Sequence, residues 1–171
     1  MANRLLVGAN LAVRAIWAGN RVLGLAFLAM LALSVPFHAQ LLAKIATGHP
    51  ELDPGVAING LRAMVSIGVA WCLANDRLLS ALLGMIESAR SGDPFVATNA
   101  ARLRTIGWVL LAMQLLDFIV GRVAAAFDLK QLAANHSSVS LSGWLSVLLV
   151  FVLAQVFEAG TALRDDLEGT V

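Results

Sequence analysis

The sequence predicts an all-α membrane protein, a transmembrane four-helix bundle of up-down-up-down topology. Three observations carry this. Hydrophobic residues make up 59% of the 171-residue chain and charged residues only 13%, against ~25% charged in an average soluble domain. The mean hydropathy is +0.81. A soluble fold of this length exposes more surface than so few charges cover, whereas lipid accepts an apolar exterior. Finally, the apolar residues fall into four blocks, each near the ~20 residues needed to cross the hydrocarbon core, and short turn-forming connections divide them.

Residues 3–20 are apolar on one face, with Arg4 and Arg14 on others and Arg21 just beyond. Two readings are open: an amphipathic helix in the membrane interface, or an extension of the first span. The arginines are too dispersed, and the following apolar run too long, for a cleavable signal peptide. The first span is expected over about 22–43, a stretch without a formal charge, with Pro36 kinking it near one end. Gly48, His49, Pro50, Asp53 and Pro54 form a turn. The second span, about 56–83, carries Arg62 near its start and Asp76-Arg77 in its last third. Ser91-Gly92-Asp93-Pro94 is the next turn, where Asp93 is expected to cap a short helix opened by Pro94. The third span, about 106–127, holds Asp117 and Arg122. A connection with Asn135 and His136 leads to the fourth, about 139–161. Connections this short make neighbouring helices antiparallel, so residues 1–171 read as a single membrane domain.

An internal echo refines this topology. Residues 21–33 (RVLGLAFLAMLAL) align with residues 104–116 (RTIGWVLLAMQLL) at six of 13 positions. Both segments begin a helix that runs in the same direction, so the bundle also reads as two tandem helical hairpins, a known membrane architecture. Orientation follows from Lys and Arg near the span ends. With the N-terminus in the cytoplasm, Arg4, Arg14, Arg21, Arg77, Arg90, Arg102, Arg104 and Arg164 are inside. Lys44, Arg62, Arg122 and Lys130 are outside. Eight against four favours both termini in the cytoplasm.

Charges within spans are costly and face protein or water, so Arg62, Asp117 and Arg122 form a candidate buried polar site. Asp117 and Arg122 stand five residues apart, off the three- or four-residue spacing that brings helix side chains together; a partner for Asp117 is sought on another helix. An ion pair fixing helix register and a ligand or ion site are both open. A second polar level, Asp76, Arg77 and Glu158, lies nearer the inner end, where Glu158 can meet Arg77 or Arg104. The glycines Gly60, Gly68, Gly107, Gly121 and Gly143 permit close helix contact. Trp17, Trp108 and Trp144 sit where interfacial anchors do, and Trp71 is packing. The lone Cys72 excludes an intramolecular disulfide. His38, His49 and His136 lack ligand spacing, so no metal and no cofactor is expected. No nucleotide loop or nucleophile motif occurs, and a net charge of +1 gives no basis for direct nucleic acid binding.

Two stretches carry a family resemblance: Ser91-Gly-Asp-Pro-Phe95 followed by Asn99 and Leu103-Arg-Thr-Ile-Gly-Trp108, and the C-terminal run from Val156 to Val171. Together they resemble the bacterial integral-membrane family known as domain of unknown function 2975. The resemblance implies a four-helix membrane protein of unestablished biochemistry. It also implies a membrane partner for a small helix-turn-helix transcription regulator, whose gene often neighbours those of the family. It supplies no catalytic residue.

Both motif stretches fall on the expected cytoplasmic side. Asp93, Pro94, Phe95, Asn99, Arg102, Arg104, Glu158, Arg164 and Asp165 are therefore a candidate docking face. The leading expectation is a non-enzymatic regulatory or sensory protein that binds and restrains such a regulator. One rival is a small ligand-binding or transport protein, assembled as a homo-oligomer, using Arg62, Asp117 and Arg122. Another is a haem or quinone redox protein.

Overall fold

A computed structural model describes residues 2–48, 53–127 and 140–168, apart from the side chains of residues 2–4, 165, 167 and 168. The turn residues His49 and Pro50, and Asn135 and His136, lie outside the described residues, as do the side chains of Arg4 and Asp165. The described chain is all helical, and its helices pack as bundles: α1 (Ala2–Leu33), α2 (His38–Gly48), α3 (Pro54–Arg90), α4 (Ala97–Ala126) and α5 (Leu141–Glu168). Four of them, all but α2, are long and apolar enough to cross a membrane.

α1 runs without a break from residue 2, so the N-terminal stretch extends the first span. Its end departs from expectation. Pro36 does not kink a helix over 22–43; a turn, Ser34–Phe37, separates α1 from α2. Proline has no N–H, so the carbonyl of Ala32 takes a 3.4 Å bond from the Val35 N–H instead, and the Ser34 hydroxyl donates to the Leu31 carbonyl at 2.7 Å.

The other helix ends follow side-chain chemistry. Asp53 caps α3, its Oδ1 accepting from the N–H groups of Gly55 (2.8 Å) and Val56 (3.0 Å). Pro54 takes the first helical position, where its missing N–H costs nothing. α3 ends in a Schellman arrangement: Asp93 N–H donates to the Ser88 carbonyl (3.1 Å) and Gly92 N–H to that of Ala89 (3.4 Å). Gly92 supplies the required positive φ of 87°. Asp93 therefore closes α3 and caps no helix at Pro94; α4 opens only at Ala97. Ser140 caps α5 through its Oγ to the Gly143 N–H, 3.2 Å.

The chain divides into two compact units. One comprises residues 1–20, 74–112 and 140–171, the other residues 21–73 and 113–139. In the second, α1 and α3 pack antiparallel through small residues. The Phe27 ring covers Gly68, where a Cβ would lie 2.9 Å from it, and a Cβ on Gly24 would meet that of Cys72 at 3.2 Å. Gly60 of α3 is covered in the same way by Phe127, just past the end of α4. In the first unit, Gly107 of α4 lies under Phe151 of α5, and Trp108 meets the same ring edge-on at 5.4 Å. At each of these glycines a Cβ would meet a neighbouring side chain at 2.9–3.2 Å, so even alanine would force that side chain to shift; small residues at helix contacts are the packing mode favoured in lipid.

Candidate functional site

In the first unit, Asn99 is polar and only 1% exposed. Its amide nitrogen donates to Ser88 Oγ (2.6 Å) and to the Pro94 carbonyl (2.8 Å). Its Oδ1 accepts from Arg102, at 2.8 Å. Both amide protons are thus used. The same Arg102 nitrogen also donates to the Gly84 carbonyl (2.9 Å), with the guanidinium lying directly over Gly84. A Cβ there would fall 2.6 Å from Arg102 Nε. One buried amide therefore ties the end of α3, the connection and the first turns of α4 into one piece.

α5 is joined to this piece from outside. Arg164 pairs with Asp93, and Arg104 donates to Glu158 Oε2 at 2.7 Å. Phe95 stacks on Phe157, centroids 5.2 Å apart. Arg104 and Glu158 are each more than half exposed. Of the two sequence options for Glu158, the structure selects Arg104, while Asp76 has contacts of its own. Eight of the nine residues of the expected docking face, all but Asp165, thus lie in one described cluster, a polar clasp. Gly84 and Ser88 complete it and were not singled out in the sequence. Their only signal is a place 18 and 11 residues before Arg102 and Asn99 across a predicted hairpin.

The second expected site has a different geometry. Arg62, Asp117 and Arg122 all belong to the second unit. Arg62, however, is turned to the α1–α2 junction. Its Nε donates to Ser34 Oγ (3.0 Å) and an Nη donates to the Ser34 carbonyl (2.6 Å); a weak 3.5 Å contact reaches His38 Nδ1. The carbonyls at a helix C-terminus lack intrahelical partners and carry partial negative charge. A guanidinium answers both needs. Asp117 is half-buried with contacts of its own, and Arg122 is exposed. Arg62 thus serves as a latch on a turn. Among the described residues no three His, Cys, Asp or Glu side chains gather as metal ligands do.

Four apolar helices long enough to span, with internal polar contacts at the clasp and at the latch, define a multi-pass α-helical membrane protein. Within that class the chain belongs to a named family: residues 40–171 match the family described as protein of unknown function (DUF2975). No curated protein and no solved structure matches the chain.

Proposed function

We infer that the protein is a non-enzymatic regulatory protein of a bacterial inner membrane, with both termini in the cytoplasm, and that its clasp docks a cytosolic helix-turn-helix regulator. The observation that supports this reading is the clasp itself. Its exposed ion pairs and the stacked Phe95–Phe157 pair form a preorganised surface on the side where arginines concentrate. Residues already held by a buried hydrogen-bond network lose little freedom on binding, which is what makes a surface efficient at recognition. A DNA-binding protein held at the membrane is kept from its operator, so docking alone suffices to restrain it.

The test is affinity purification in mild detergent followed by mass spectrometry. A small helix-turn-helix protein is expected with the wild type and lost on deleting residues 164–171. Reversing the pair, Asp93→Arg with Arg164→Asp, keeps the internal bridge but inverts the charges a partner meets. The double variant is expected to melt within ~1 kcal/mol of wild type, as exposed pairs contribute little, yet to lose the partner. Wild type purified without such a protein, or a double variant that retains it, overturns the docking reading.

A further inference from the structure

The second unit contains a cleft of about 740 Å³ between α1, α2 and α3, within the ~300–1,000 Å³ typical of small-molecule sites. Ala29 and Leu33 of α1, Phe37 of the turn, Leu41 of α2 and Leu61 of α3 wall it. Three polar side chains also line it. Ser34 is already engaged by Arg62. The other two, Gln40 and Lys44, are four residues apart and so share one face of α2. Lys44 is exposed, and among the described residues no acidic side chain pairs with it.

We propose that this cleft is a binding site for an anionic membrane lipid, an acyl chain lying in the apolar slot and the headgroup meeting Lys44 and Gln40. The assignment is independent of the clasp. Its surroundings supply the ligand: no residue in the most apolar stretch of α1 is buried, so hydrocarbon lies against the helix that forms one wall. An apolar slot bordered by the exposed Lys44 ammonium and an amide matches an amphiphile with negative charge at one end. A second copy of the chain fits less well, since a two-fold contact through this cleft brings Lys44 towards its own symmetry mate. The latch also matters. By holding the turn, Arg62 keeps the cleft open in the absence of ligand, which reduces the cost of binding.

Native mass spectrometry of the detergent-purified chain, titrated with phosphatidylglycerol or phosphatidylethanolamine, tests this. One lysine near an anionic headgroup is worth ~1 kcal/mol, so wild type is expected to retain phosphatidylglycerol about fivefold better. Lys44→Gln is expected to abolish that preference and leave phosphatidylethanolamine retention unchanged. Ala29→Trp, which fills the slot, is expected to reduce retention of both lipids. Arg90→Gln, a charge loss in the first unit, is expected to change neither. If Ala29→Trp does not fold, the Lys44→Gln comparison decides alone. Equal retention of the two lipids by wild type, an undiminished preference in Lys44→Gln, or a lipid-free dimer as the main species overturns the proposal.

Discussion

Asn99 carries more of the first unit than its size suggests. A buried amide is tolerated only when its donors and acceptor are met, and here three different segments meet them. Truncation to alanine removes the amide and leaves the Pro94 carbonyl, Ser88 Oγ and the Arg102 guanidinium short of a partner. Orphaned buried groups cost ~1–3 kcal/mol. Asn99→Ala is therefore expected to lower the melting temperature of the detergent-solubilised protein by that equivalent, while Thr98 or Ala101, at exposed positions beside it, tolerates substitution; an unchanged melt means the network is not holding the hairpin. Asn99 stood out in the sequence within a motif stretch, but its role did not. Ser88 lies 11 residues back, across a connection whose path depends on the left-handed Gly92. Sequence spacing names the neighbours of a residue along one helix, not those the chain brings back to it.

At the scale of the element, the four apolar blocks were readable because length and hydropathy are properties of each block alone. The ends were less so. Pro36 was visible as a disturbance, but a kink and a stop differ in what happens to the freed carbonyls. That is settled by Arg62, 28 residues after Ser34. The expected grouping of Arg62 with Asp117 followed from depth in the membrane; instead the guanidinium is taken up by the hydroxyl and carbonyl of Ser34 in the turn after α1. The aligned glycines of the internal echo fare better. Gly24 and Gly107 each lie under a side chain of the helix that packs on theirs, Cys72 and Phe151, so the echo preserves a packing role.

The latch makes a prediction about α1 and α2 together. Spin labels at positions 30 and 44, in a Cys72→Ala background, sit on opposite walls of one cleft in the wild-type geometry. Pro36→Ala restores an N–H, and Arg62→Met releases the Ser34 carbonyl. With both changes the helix is expected to run on through residues 34–37, separating the labelled positions by ~21 Å along one axis. Pro36→Ala alone is expected to keep the shorter wild-type distance, because Arg62 still occupies the carbonyl. A lengthening with the single change assigns the turn to proline alone.

The whole molecule is governed by where its apolar surface goes. Among the described residues, the buried hydrophobic side chains are few and several are alanine, whereas leucines such as Leu5, Leu25, Leu141 and Leu149 stand at least two-thirds exposed. Leaving just ten such side chains in water costs ~15–30 kcal/mol at 1.5–3 each, more than the ~5–15 kcal/mol that holds a typical domain together. The exterior is therefore compatible with lipid and not with water, and alkaline carbonate is expected to leave the protein in the membrane pellet. The number of crossings then fixes the ends. α2, at 11 residues, reaches ~17 Å, short of the ~30 Å core. It does not add a crossing, and four spans return the chain to the side where it began. The arginine bias predicts that this side is the cytoplasm. Fluorescent-protein fusions at either terminus are expected to fluoresce and phosphatase fusions there to stay inactive, while phosphatase inserted at residues 49–52 is expected to be active. One active and one inactive terminus implies an odd number of crossings, and α2 or a neighbouring stretch then spans. Two active termini invert the protein and put the clasp outside, where no cytosolic regulator reaches it, so this topology measurement also decides whether docking at the clasp is open to the protein at all.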